Sequence, residues 1–371
     1  MNSRERLQAA VALEAPDRVP VGPLLDHFAA TYAGVTKAAF MHDRKARREA
    51  LFKTVRELGP WDLSFLAETV FPEYMAMAPA RVRYPGVDLP EDEIHQFEEF
   101  ELLTPEDYEN LRRLGFNRFL IQVAKRVNPK MSLWQGARNT WSLLREVRKN
   151  AALLREMGVE PAVGFMLPGP LFEYFSLGRS MGQMCMDLFD HPDRIKKAGR
   201  YWARAICPPA ARFAKWAGIN RVFVGLSRSS PAFISPRHFE EFVLPELEYM
   251  VNDLIGLGVT PVLHMDTNWT KNLHYFRRFP RGKWIMELDG ATDIFKAKEI
   301  LGDHVCLMGD VPASLLAFRP KDEVLAYCKR LIEEVGKGGG FILSSGCSIP
   351  ANARVENVRA LAEAAEEYGR Y

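Results

Sequence analysis

Short apolar runs alternate along the chain with longer helix-period stretches, and a few Gly, Pro, Asp or Ser residues mark each change. The runs are RVPVGPL (18–24), WDLSFLAE (61–68), EPAVGFML (160–167), RVFVGL (221–226), TPVLHM (260–265), KWIMEL (283–288), HVCLMG (304–309) and GFILSS (340–345). Strands that alternate with helical patterns predict βαβ units and a parallel sheet. Eight of them in 371 residues predict an α/β fold of the (β/α)₈ barrel type, a TIM barrel, as a single domain over 1–371. The alternative is an open doubly wound sheet, but no G-x-G-x-x-G pattern follows the first strand. The gap between the second and third strands exceeds what a minimal barrel needs, so residues 80–157 form a predicted insertion in the N-terminal half. Within it, 80–103 reads as a hairpin or irregular excursion. Two helices follow, over 104–127 from a Thr-Pro-Glu start and over 136–158. Insertions of this kind often cover a barrel mouth, which makes this one a candidate lid or partner-docking region.

In a parallel barrel the chemistry sits at the C-terminal ends of the strands. Asp26 and His27 follow the first strand, and Glu68 and Glu73 the second. Glu173 and Tyr174 follow the third, Ser227 and Arg228 the fourth. The fifth ends in His264, Asp266, Asn268 and Trp269, the sixth in Glu287 and Asp289, the seventh in Asp310 and the eighth in Cys347. His264 and Asp266 are two residues apart on an extended strand, so both side chains point to one side. With Cys347 they make an imidazole, carboxylate and thiolate set that suits Zn²⁺ with a fourth position left for substrate or water. Glu287 is an extra or alternative ligand. The same residues have plainer readings. An H-x-D pair also arises when a histidine simply hydrogen-bonds a carboxylate, and Cys347 alone is also a small buried residue. Asp289 and Asp310 read equally as helix N-caps, and Cys306 as core.

Composition narrows the class. A formal net charge of +2 with 26% charged and 47% hydrophobic residues gives no pull toward nucleic acid. No apolar run reaches the roughly 18 residues of a membrane span. The N-terminus MNSRERLQAA lacks the apolar region of a signal peptide, so a cytoplasmic protein is expected. The five cysteines are scattered and odd in number, which fits reduced thiols.

Longer stretches carry a resemblance. SRERLQAAVALEAPDRVPV (3–21), GPLFEYFSLG (169–178), FISPRHFEEFVLPELEYMVNDLIGLGVTPVLHMD (233–266) and GFILSSGCSIPANARVENVRALAEAA (340–365) together resemble the uroporphyrinogen decarboxylase superfamily, and within it the corrinoid-dependent methyltransferase branch. Two departures bear on the branch. The decarboxylases carry an Arg-rich segment after the first strand for a substrate with eight carboxylates. Here, setting His aside, Lys37 is the only basic residue between Arg18 and Arg44, and such an anion needs cationic partners. The thiol-directed methyltransferases carry His-x-Cys and a distant Cys as zinc ligands. His264 and Cys347 match two of these, and Asp266 replaces the third. A harder ligand set suits an oxygen leaving group better than thiol activation.

The resemblance therefore implies a zinc-dependent methyltransferase that moves methyl from a methoxylated donor, aromatic or otherwise, or from another methylated donor to the Co(I) corrinoid of a partner protein. Glu287 or Asp310 would supply an acid. Tyr174 and Trp269 would wall the pocket, with Asn268, Arg228 and Glu68 beside the substrate. The corrinoid must come on a separate protein, because the chain has no D-x-H-x-x-G motif. A homodimer is compatible with this reading. Competing readings are transfer from methylcobalamin to a thiol, a metal-free decarboxylase, and a non-catalytic binding protein on the same fold.

Overall fold

The eight apolar runs become the staves of a closed barrel in the computed structural model, which describes residues 1–65, 71–130 and 132–371. Its strands are β1 (Leu63–Ser64), β2 (Arg81–Arg83), β3 (Gln96–Glu98), β4 (Glu160–Pro161), β5 (Phe165–Leu167), β6 (Arg221–Leu226), β7 (Thr260–Met265), β8 (Ile285–Leu288), β9 (Cys306–Val311) and β10 (Phe341–Ser345). β5 to β10 form one parallel sheet in chain order. Backbone hydrogen bonds close the ring. Gly22 N–H donates to Leu343 O, Leu343 N–H to Pro20 O, Asp62 N–H to Val21 O and Gly164 N–H to Arg221 O, while β1 pairs with β4.

Two staves are less regular than their sequences predict. Residues 18–24 make isolated bridges instead of a ladder: Val21 with Leu343 and Leu24 with Ser348, both parallel, and Arg18 with Arg370, antiparallel. Pro20 and Pro23 deprive this stretch of the N–H groups a continuous ladder needs. The 160–167 run splits into β4 and β5. Pro161 removes one donor, and at Gly164 the chain lies so close to the helix Pro192–Trp216 that an added Cβ would sit 2.8 Å from Ala214 Cα. In the 61–68 run, β1 is short, and residues 66–70 lie outside the described residues.

The barrel is filled, as alternation along its strands requires. Phe223, Val262, Ile285, Met308 and Ile342 pack inside it with Leu63 and Val163. Leu7 and Ala10 of the opening helix Ser3–Val11 plug the floor. That helix starts in a capping box between Asn2 and Glu5. Beneath the plug, Asp62 is fully buried and accepts from the Arg6 and Arg18 guanidinium groups and the Val21 N–H. One strand position above the apolar layer, Val262 gives way to His264 and Ile285 to Glu287, so the interior turns polar at the mouth.

Of the two readings of 80–103, a hairpin or an irregular excursion, the structure has β2 and β3 paired antiparallel. The 104–127 stretch holds two helices, Asp107–Leu114 and Phe116–Val127, where one was expected. Gly115 separates them at φ +82, a conformation that glycine adopts readily. The third helix runs Leu133–Glu156. The hairpin is tied to the mouth at two places: His95 Nδ1 lies 3.0 Å from His27 Nε2, and Glu99 pairs with Arg228 at 2.9 Å. Among the described residues, no helix is long and apolar enough to cross a membrane.

Candidate metal centre

The segment leading to His264 is built from clear local signals. Ser235 caps a helix by accepting from the His238 N–H, and Pro236 takes the first turn. The helical run continues through Leu244–Gly256 and buries Phe239, Leu247, Met250 and Leu254. Gly258, at φ +73, stops it in the left-handed conformation. β7 follows two residues later, with Val262 and His264 turned inward. Asp266 comes next on the same side. Thr267 then adopts φ +67, unusual for a residue with a branched Cβ. Its N–H donates to Asp289 Oδ2 at 2.6 Å, its hydroxyl to Ser230 Oγ at 2.6 Å, and its carbonyl accepts from Thr292 Oγ1 at 3.0 Å. A turn held from three sides fixes where Asp266 points.

Cys347 arrives from the opposite part of the mouth. It follows Gly346, where an added Cβ would lie 2.4 Å from Asp289 O, so this turn is pressed against the end of the sixth stave and admits only glycine. The turn brings Cys347 Sγ to 3.5 Å from His264 Nε2. Asp266 Oδ1 lies 3.1 Å from the same nitrogen. One donor atom each from His264, Asp266 and Cys347 fall within 4.8 Å of one another.

Glu287 occupies a different place from the other three. β7 and β8 pair His264 opposite Glu287, and Glu287 Oε2 lies 2.9 Å from His264 Nδ1. Glu287 is fully buried, and its Oε1 has no hydrogen-bond partner among the described residues. It therefore stands behind the imidazole, in the position of a carboxylate that orients a metal-binding histidine, and not beside Asp266 and Cys347. Phe223 stacks on the His264 ring, 5.0 Å between centroids.

The electrostatics match that geometry. Burial alone would lower the His264 pKa, but the Glu287 carboxylate, then Cys347 and Asp266, outweigh it and hold the imidazole well above its ordinary value. Burial would raise Asp266, yet its contacts with His264, Ser227 and Cys347 keep its carboxyl below the usual range. Three electron-rich groups thus surround one buried imidazole and stabilise a positive charge there. A cation bound at Nε2, Oδ1 and Sγ would meet the same field, and the mixed N, O and S donor set is one Zn²⁺ accepts. For a Zn²⁺ ion held by these three atoms, Glu287→Ala is expected to weaken binding about 10- to 100-fold while the protein stays folded, because the second carboxylate would set ring orientation and ligand basicity. Competition against a chromophoric chelator measures this.

Several sequence expectations change at the mouth. Trp269 is no pocket wall. It is fully buried against Phe239 and Phe276, and its Nε1–H donates to Asp266 O at 2.7 Å, so it supports the Asp266 backbone. Tyr174 is also buried, packed on Trp202 with its hydroxyl donating to Met77 O at 2.7 Å. Asn268 is exposed and braces its own turn, donating to Ala291 O and accepting from Thr270 N–H. Arg228 is engaged by Glu99 and Ser176. Glu68 lies outside the described residues. Asp289 does not cap a helix but accepts from the Thr267 and Ala291 N–H groups. The next helix, Ile294–Leu301, is capped by Asp293. Asp310 caps none either, and accepts from the Tyr327 hydroxyl at 2.8 Å. Cys306 is core as expected.

Comparison with known proteins agrees with the barrel. Uroporphyrinogen decarboxylases of Geobacter sulfurreducens and Geotalea daltonii are 28% and 32% identical to it over 124 residues. These alignments take in 33% of this chain and only 35% of each relative's length. A solved structure, a methyltransferase from Methanosarcina mazei, superimposes with a TM-score of 0.73 over 99% of both chains at 18% identity, and so has the same fold. Residues 2–368 match the uroporphyrinogen decarboxylase family. With a match across nearly its whole length and a barrel to accompany it, the chain belongs to the uroporphyrinogen decarboxylase family.

Proposed function

We propose that this protein is a zinc-dependent methyltransferase that moves a methyl group from a small methoxylated compound to the Co(I) corrinoid of a partner protein. The observation that carries the reading is the convergence of His264 Nε2, Asp266 Oδ1 and Cys347 Sγ at the barrel mouth. These three atoms would hold the metal, with Glu287 fixing the imidazole from behind. With a single thiolate in its ligand set, bound zinc supplies Lewis acidity suited to an ether oxygen.

In the proposed reaction the methyl–oxygen bond breaks, the methyl carbon bonds to cobalt, and the bond pair stays on oxygen, which takes up a proton. Glu287 is committed to His264, and Asp310 is the proposed proton source. Burial pushes Asp310 up to about 6 against the opposing Tyr327 hydrogen bond. Its acid form is therefore abundant below about pH 6 and lost as pH rises through that value. Asp310→Asn is expected to lower the turnover rate about 100-fold and to flatten the fall in rate between pH 5 and pH 8, as a pH–rate profile of both proteins would record.

The mouth does not favour a polycarboxylate. Arg18 lies at the barrel floor on Asp62, Lys37 faces Asp92 at 3.8 Å, and Arg228 is paired with Glu99. The experiment mixes zinc-loaded protein with cob(I)alamin and a panel of methoxyarenes and follows the visible spectrum. Appearance of methylcobalamin with a demethylated product is the expected result. Decarboxylation of uroporphyrinogen, or demethylation of methylcobalamin by a thiol without the forward transfer, would overturn the reading.

A further inference from the structure

Asp266 stands where thiol-directed relatives would place a thiolate, and a carboxylate brings a problem that a thiolate does not have. It offers two oxygens, and a chelating carboxylate would fill the position a substrate needs. The structure separates the two oxygens. Asp266 Oδ1 faces His264 Nε2 at 3.1 Å, while Oδ2 accepts a 2.6 Å hydrogen bond from the Ser227 hydroxyl. Ser227 is itself held in place. It opens the loop after β6, and the buried Glu173 carboxylate gathers the backbone N–H groups of Ser227, Arg228 and Ser229 together with the Ser229 hydroxyl. Among the described residues no hydrogen bond joins this loop to His264 or Cys347, so its reach to the cluster runs through one hydroxyl.

We infer that Ser227, anchored through Glu173, is a positioning residue that makes Asp266 a one-oxygen ligand and keeps a metal coordination position free for substrate. The inference rests on the zinc reading above and deepens it. Trp269 Nε1–H on the Asp266 carbonyl and the pinned Thr267 hold the Asp266 backbone, so the side-chain torsion is the freedom left, and Ser227 removes it. A hydroxyl at this position is required, and its carbon frame is not.

The test compares wild type, Ser227→Ala and Ser227→Thr, each loaded with zinc or Co²⁺. Zinc affinity is read by chelator competition and coordination by the visible spectrum of the Co²⁺ form. The expected result is that Ser227→Ala weakens zinc binding about 10-fold, the scale of outer-shell partners, and dims the Co²⁺ bands as the second oxygen joins the metal. Ser227→Thr restores both. An alanine variant that keeps wild-type affinity and spectrum would overturn the inference while leaving the zinc reading intact. A threonine variant that fails like alanine, at an unchanged melting temperature, would overturn it too, since the hydroxyl alone would then not suffice. Wild type that takes up neither metal would remove the zinc reading, and the inference with it.

Discussion

On the zinc reading, His264→Ala is expected to abolish zinc uptake and to lower methyl transfer to cob(I)alamin about 1000-fold or more, a barrier change of about 4 kcal/mol. Two losses combine. The nitrogen at the centre of the ligand set disappears, and Asp266 and Cys347 are left with no group between them. Glu287, fully buried, also loses its one side-chain partner on Oε2 among the described residues. An uncompensated buried carboxylate costs stability as well as function. His264→Gln separates the two effects. Its amide can still donate to Glu287, so stability recovers toward wild type while zinc and activity stay lost. Cys347→Ala should lose zinc and activity with little change in stability, since the thiol is only partly buried. Metal analysis, transfer rate and urea denaturation of the three variants distinguish these outcomes.

The largest stability effect is expected at the other end of the barrel. Asp62→Ala should destabilise the fold by about 3–5 kcal/mol, the usual consequence of removing one partner from a buried ionic network. Asp62 is the single acceptor that joins Arg6 of the floor helix, Arg18 of the first stave and the Val21 backbone. Arg6 keeps Asp17 as a second partner, and with it a pKa above its ordinary value. Arg18 and the Val21 N–H have no comparable replacement. The first stave relies on isolated bridges instead of a continuous ladder, so its position depends on this carboxylate. The folded fraction of Asp62→Ala should still bind zinc one to one, because the site lies at the opposite end of the strands. Denaturation midpoints and metal content together test this.

Much of the architecture is legible in the chain because buried parallel strands write themselves as apolar runs, and the helices between them carry Ser, Pro and Gly stop and start signals. The irregular staves are less legible. Whether 18–24 and 160–167 pair continuously depends on which backbone groups reach a neighbour far away in sequence, and on how close a helix packs at Gly164. The three proposed ligands were legible for a chemical reason. His, Asp and Cys at strand ends are costly to place together unless something positive joins them. Glu287 was legible as an acid near the site, but its place behind His264 follows from the β7–β8 register, which no local pattern reveals. Trp269 and Tyr174 illustrate the reverse. A large aromatic at a strand end suits a pocket wall and a core equally well, and only the neighbours Phe239, Phe276 and Trp202 decide for the core. Ser227 was visible among the strand-end residues, yet its task depends on the 2.6 Å contact with Asp266.

The most direct test of the central claim is zinc K-edge X-ray absorption on protein purified without chelator. About one zinc per chain is expected, with a single sulfur neighbour at ~2.3 Å and the remaining neighbours nitrogen or oxygen at ~2.0–2.2 Å. The sulfur shell should vanish in Cys347→Ala. A zinc with two sulfur neighbours, a zinc with none, or protein that holds no zinc after reconstitution would contradict it.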